Sequence, residues 1–245
     1  MASERFLSEY RGAFWRQVLP NLTGDYVRSK NKVSRLVGVE PGGWESPAIY
    51  NDLIGEASFG CVMRHVNTWV AAETTAELQP EQRAEHGLSV TTSDLEYAVH
   101  SLTTIANKRF ESYPIPDSVT RDAGRLAGRL ANLLPTELAT AVFHPRLKGF
   151  GLLDACHPDI ANQTSIIEIK SSKDGFRRED FKQLFIYAYL AQRAGSNFSS
   201  FILLNPRTAQ RLTFSHQQLA DELSGQHYSA AYALFDQILQ RPQSF

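Results

Sequence analysis

Three short segments of this 245-residue chain carry residue types suited to chemistry on a charged substrate. Asp154 lies inside an apolar run, Gly151-Leu152-Leu153-Asp154-Ala155. Fourteen positions later, Ile166-Ile167-Glu168-Ile169-Lys170 sets a carboxylate and an ammonium two residues apart. A helical pattern over 180–192 then brings Gln183 and Tyr187 one turn apart. Carboxylates flanked by Ile and Leu lose hydration and repel each other, so something must compensate them. A hard divalent cation would do so: Mg²⁺ takes a couple of carboxylate oxygens and leaves room for water and substrate phosphate. It would lower the pKa of water and stabilise charge on a phosphodiester in transition. Lys170 would hold or deprotonate the attacking water, or neutralise the phosphate.

The elements that must position these residues follow from the pattern around them. The runs near 148–156 and 164–171 read as the two strands of a β-hairpin, with the turn formers of 157–163 between them. Alternation in a strand turns Glu168 and Lys170 to one face and Ile167 and Ile169 to the other. Pairing the strands about that turn sets Asp154 beside Glu168. Pro158-Asp159 competes for the same role, but its place in the expected turn favours Asp154. The ordinary alternative for Asp154, Glu168 and Lys170 is a surface ion cluster, which is worth little energy. The buried character of Ile166-Ile167-Glu168-Ile169 argues against it.

Asp154, Glu168-Ile169-Lys170 and Gln183-x-x-x-Tyr187 together resemble the PD-(D/E)XK nuclease superfamily, in its RecB-like branch. The resemblance covers roughly residues 140 to 205. It implies a restriction-endonuclease-like αβββαβ core, a mixed central sheet flanked by helices, in an α/β fold with an N-terminal helical extension. It implies a metal-dependent deoxyribonuclease using Mg²⁺, with Mn²⁺ as a substitute. Asp154 and Glu168 would bind the metal, the Ile169 carbonyl would add a ligand, and Lys170 would assist catalysis. Gln183 and Tyr187 would orient the site and the DNA. Phage defence, restriction, recombination or repair are the settings it suggests. The segment Ile54-Gly55-Glu56-Ala57-Ser58-Phe59-Gly60 resembles a helix that carries an extra acid in some relatives, which singles out Glu56. His65 on the same helix reads as a possible ligand or as a satisfied, partly buried residue.

Charge and composition bound these readings. With 25 basic and 26 acidic residues, the formal net charge is −1, so no global basic field attracts DNA and any nucleic-acid surface must be local. Near-neutrality also leaves room for a second class of function, a nuclease-fold subunit that binds DNA or a protein partner. Two cysteines without metal spacing fit a reduced, cytoplasmic location, and no run is long and apolar enough for a membrane span.

Along the chain, apolar residues four apart predict a helix over 3–19, stopped by Pro20. Residues 20–47 read as irregular and locally basic through Arg28, Lys30, Lys32 and Arg35, a possible DNA-contacting arm. A helix over 52–73 precedes a loop containing Pro80. Ser93-x-x-Glu96 reads as a capping box that opens a helix to about 112. A helix over 118–133 carries Arg121, Arg125 and Arg129 on one face, either a solvated face or a phosphate-contacting stripe. Strands follow at 138–144, 148–156 and 164–171, then a helix at 179–193 and a strand at 198–204. An edge strand at 211–214 and a helix at 226–240 close the chain. Residues 1–115 form the expected helical region and 116–245 the expected nuclease core.

Overall fold

The computed structural model describes residues 7–8, 13–36, 39, 43–73, 88–105 and 115–240, with the side chains of 67–73 and 105 left aside. It shows an α/β architecture around one mixed sheet of five strands in the order β1-β2-β3-β4-β5. β1 (Val142–Phe143), β2 (Ile160–Ala161) and β3 (Ser165–Ile169) pair antiparallel in turn. β3 runs parallel to β4 (Ser200–Asn205), which pairs antiparallel with β5 (Gln210–Phe214). The parallel pair needs a crossover, and the helix Arg178–Arg193 supplies it.

Alternation along the central strands builds two cores, one on each face. Ile166, Phe201 and Leu203 enter one hydrophobic cluster with Phe181, Phe185 and Phe235. Ile167, Ile202 and Leu204 enter the other, with Leu53, Val62, Leu126 and Leu130. In chain order the described helices are α1 (Ala13–Val18), α2 (Gly24–Val33), α3 (Asn51–Glu73), α4 (Thr92–Ile105), α5 (Asp117–Leu133), α6 (Pro135–Leu138), α7 (Arg178–Arg193), α8 (His216–Ser224) and α9 (Tyr228–Gln240). Residues of α1, α7, α8 and α9 build the first core, and those of α3, α4 and α5 the second. Position 115 therefore separates no two cores: α3, from before it, packs with α5, from after it, against the same sheet face.

Several local expectations are corrected. The stretch expected to be irregular contains α2, started by Thr23, whose hydroxyl accepts from the Tyr26 N–H at 3.2 Å. The box at the start of α4 uses Thr91 and Asp94 instead of Ser93 and Glu96: Thr91 N–H donates to Asp94 Oδ2 at 2.8 Å. The expected strand over 138–144 shrinks to Val142–Phe143, because Pro135–Leu138 takes a helical turn first. Of the expected helix over 3–19, Ala13–Val18 is seen, while 1–6 and 9–12 fall outside the described residues, as do the Pro80 loop and the end of the helix expected to reach 112. A capping box of Ser215 and Gln218 starts α8, with reciprocal bonds of 3.1 and 3.0 Å. Among the described residues no helix is long and apolar enough to cross a membrane.

The main correction concerns the hairpin. Residues 147–156 form no strand of the sheet; they fold back on themselves through isolated bridges, Leu147 to Cys156 and Phe150 to Leu153. Gly151 turns this excursion with φ +59°, and a Cβ there would come within 2.6 Å of the Leu239 carbonyl oxygen. The partner of β3 is β2, with Ile160 opposite Ile167, and the turn lies at 162–164. Asn162 makes that turn, its Oδ1 accepting from the N–H groups of Thr164 (2.9 Å) and Ser165 (2.7 Å).

Candidate active site

The register of β2 and β3 decides which carboxylate meets Glu168. With Ile160 opposite Ile167, the residue that follows opposite Glu168 is Asp159, at the head of β2. Its Oδ2 accepts from the Ile169 N–H at 2.6 Å. Asp154 lies in the folded-back excursion, where its carbonyl accepts from Cys156 Sγ at 3.4 Å. Its carboxylate is not one of the charges that move Asp159 or Lys170. The structure thus brings Asp159, and not Asp154, to the acidic centre. Pro158-Asp159 leads directly into β2, and the hairpin turn comes later, at 162–164.

Glu168 and Lys170 share a face, as alternation requires. Glu168 is only 4% exposed. Lys170 Nζ donates to Glu168 Oε1 at 2.8 Å and to Gln183 Oε1 at 2.8 Å, and approaches Asp180 Oδ1 at 3.6 Å. Gln183 Nε2 donates to the Tyr187 hydroxyl at 2.7 Å. The amide is therefore oriented from both sides: its oxygen by an ammonium, its nitrogen by a fully buried tyrosine one turn along α7. Lys170 continues the ladder past β3, donating its N–H to the Leu204 carbonyl at 2.8 Å, so β4 fixes the backbone from which the side chain departs.

Electrostatics at the centre are unbalanced. Burial raises the Asp159 carboxyl well above the usual carboxylate range, and the Glu168 charge raises it further. Lys170 and the Ile169 N–H pull it down but do not prevail, and Glu56 adds to the rise. Burial alone would lower Lys170; the Glu168, Asp180 and Asp159 carboxylates outweigh it and hold the ammonium above its ordinary pKa. These carboxylates favour the charged form of Lys170.

Glu56 reaches this centre from the opposite layer, on α3. Its Oε2 accepts from Ser101 Oγ at 3.2 Å, and its charge bears on both Asp159 and Tyr97. Tyr97, on α4, is raised by burial and by the Glu56 and Asp159 charges, and its hydroxyl lies 3.3 Å from His144 Nε2. His144 follows β1 in a left-handed conformation, φ 49°, and its N–H donates to the Asp159 carbonyl at 2.9 Å. Burial and the neighbouring His157 lower its pKa. His65 stays apart from all this. Its Nδ1 lies 2.8 Å from the Cys61 carbonyl one turn earlier, the satisfied helix histidine.

No protein-family model matches the chain, and no curated protein matches it either. The site must be read from its own chemistry.

Tyr97, His144 and Asp180 were not singled out by the sequence. Asp180 carried a signal, since a carboxylate three residues after Arg177 caps a helix start, and the Arg177 N–H does donate to its Oδ2 at 2.7 Å. Tyr97 and His144 carried none, because only the docking of α4 beside β1 makes them neighbours. The arginine stripe of α5 is engaged within the protein: Arg121 and Arg125 pair with Glu45 at 3.0 and 2.8 Å, and Arg129 donates to the Pro206 carbonyl at 3.3 Å. Among the described residues no group of three or more His, Cys, Asp or Glu is gathered to hold a metal by protein ligands alone. A two-carboxylate centre beside a backbone carbonyl remains, and that donor set suits a cation that keeps most of its water.

Proposed function

We propose that the protein is a Mg²⁺-dependent nuclease that hydrolyses DNA phosphodiester bonds, with a core of the restriction-endonuclease-like type. The observation that carries this reading is the linked set Asp159, Glu168, Lys170, Gln183 and Tyr187 at one end of a strand pair. Burial and the Glu168 charge disfavour an ionised Asp159, and a divalent cation would offset both costs with a few carboxylate oxygens. Asp159, Glu168 and the Ile169 carbonyl would hold it, with Glu56 close by. A bound Mg²⁺ lends Lewis acidity to the phosphodiester and acidifies water.

The chain's own residues supply the rest. Lys170, kept as an ammonium by its three carboxylate neighbours, orients the attacking water and stabilises charge developing on the phosphorus oxygens. Gln183 holds that ammonium in place, and Tyr187 holds Gln183. The αβββαβ succession of α5, β1, β2, β3, α7 and β4 agrees with this assignment.

The test is cleavage of linear, circular and single-stranded DNA with Mg²⁺ or Mn²⁺, by wild type and by Lys170→Ala. Cleavage by wild type alone supports the reading; equal cleavage by both sinks it. Attack on closed circles would mark an endonuclease.

A further inference from the structure

A cleft of about 390 Å³ opens beside the β4–β5 turn, between that turn, α2 and the segment that follows Lys170. Its floor is neutral and internally bonded. Gln210 Nε2 donates to the Asn31 carbonyl at 2.8 Å and to Ser34 Oγ at 2.9 Å, and Gln210 Oε1 accepts from the Thr208 hydroxyl at 2.5 Å. Asn31 in turn clamps Phe176: its Nδ2 donates to the Phe176 carbonyl at 2.9 Å and its Oδ1 accepts from the Phe176 N–H at 2.8 Å. Gly175 fits against this floor at φ +81°, where a Cβ would come within 2.6 Å of Asn31 Oδ1 and 2.9 Å of Gln210 Oε1. The floor is held together by its own hydrogen bonds.

The walls carry charge. Lys32, Arg35 and Lys173 line the cleft against the single carboxylate of Asp174. Several other cations are paired: Lys30 with Glu222 at 2.5 Å, Arg64 with Asp94 at 2.8 Å, Arg211 with Glu137 at 2.6 Å. Lys32, Arg35 and Lys173 form no ion pair among the described residues. They come from two separate parts of the chain, yet the fold converges them, since 34–36 runs along the start of β5 through Leu36 N–H to Ala209 O and Arg211 N–H to Ser34 O. The cleft also opens at the sheet end that bears Lys170. Leu204 bonds Lys170, and the next residue, Asn205, donates to the Ser172 carbonyl at 2.8 Å while receiving the Arg207 and Thr208 N–H groups.

We propose that this cleft binds the phosphate backbone of the DNA strand presented to the active site, away from the bond that is cut. Three cations against one carboxylate leave the cleft net positive over a hydrogen-bonded floor, which suits phosphodiester oxygens. The inference rests on the nuclease reading for its substrate. It differs from that reading in needing no metal.

The experiment measures anisotropy of a fluorescein-labelled duplex DNA in EDTA over a salt series, for wild type and for the triple variant Lys32→Ala/Arg35→Ala/Lys173→Ala. All three side chains are exposed, so the variant keeps its core, and circular dichroism checks it. Affinity falls about tenfold and the slope of log affinity against log salt falls by about three, one per lost phosphate contact. Arg16→Ala, which removes one exposed charge from α1, leaves the slope unchanged. Unchanged affinity and slope in the triple variant would overturn the assignment, as would wild type that fails to bind. Hydrolysis of bis(p-nitrophenyl) phosphate with Mg²⁺ separates the two readings, because that small ester has no strand to hold. The triple variant hydrolyses it at the wild-type rate if the cleft acts only on the strand; a parallel loss would place these residues in the catalytic centre instead. DNA binding by a wild type that hydrolyses neither substrate would leave the cleft assigned and sink the nuclease.

Discussion

The Ile169 N–H donates to Asp159 Oδ2 at 2.6 Å, and this one bond fixes which acid stands beside Glu168. It ties the residue just before β2 to the end of β3, so the β2–β3 register sets the carboxylate's place.

A first prediction separates the two aspartates. Asp159→Asn lowers Mg²⁺-dependent DNA cleavage by about 10²–10³-fold, the scale of losing one principal electrostatic group. Asp154→Asn, in the excursion, stays within a few-fold of wild type. Rates on labelled DNA decide it, and the reverse ranking would return the role to Asp154.

The amide relay makes a second. Gln183→Ala frees one side of the Lys170 ammonium and lowers kcat by about 10–100-fold, as supporting residues around such sites do. Tyr187→Phe removes only the hydroxyl that accepts from Gln183 and costs about 1 kcal/mol of stability, with a smaller fall in kcat. A Gln183→Ala enzyme with unchanged kcat would show that the relay does not position Lys170.

Steric fit between the two layers gives a third. A Cβ on Gly55 would collide with Ser171 Oγ and lie 3.1 Å from its Cβ, so the helix bearing Glu56 and the segment after Lys170 touch at this glycine. Gly55→Ala destabilises by about 1–3 kcal/mol and lowers activity. Adding Ser171→Gly removes the collision and restores both. Denaturant midpoints and rates of the double variant test this; no recovery would mean that the contact is not what matters.

The fourth concerns acid. Asp94 is 4% exposed, takes Arg64 Nε and Nη2 at 3.1 and 2.8 Å, and caps α4 through Thr91. Burial opposes its ionisation, but Arg64 and Thr91 more than offset that and hold its pKa below the usual carboxylate value of 3.8. A depressed folded pKa means stabilisation that is complete above the unfolded value and lost as pH falls through the folded one. Asp94→Asn therefore costs about 2–3 kcal/mol at neutral pH. The gap to wild type narrows below about pH 4. Urea midpoints at several pH values measure it, and a gap that widens in acid would contradict it.

The sequence made the central machinery readable where periodicity is strong. Ile166-Ile167-Glu168-Ile169 gave β3, the Phe181, Leu184, Phe185 pattern gave α7, and the two-residue spacing put Glu168 and Lys170 on one face. It misdirected at Asp154 because Gly151-Leu152-Leu153 has a strand's composition, whereas its glycine adopts a positive φ and folds the run back. The true turn was also encoded, in Asn162 two and three residues before Thr164 and Ser165, but polar residues throughout 157–163 hid which of them would turn. Glu56 was marked by the local 54–60 segment, but the convergence of Tyr97 and His144 on Asp159 depends on helix packing across long separations, and nothing local announces it.

The parallel partnership of β3 and β4 has a consequence for the newborn chain. Every residue proposed for catalysis, from Glu56 to Tyr187, precedes Ser200, where β4 begins. On the ribosome the complete chemical inventory emerges before the strand that anchors Lys170 exists. A chain stopped near residue 195 would hold all of these side chains without the strand whose Leu204 carbonyl fixes the Lys170 backbone, so their alignment waits on the synthesis of β4.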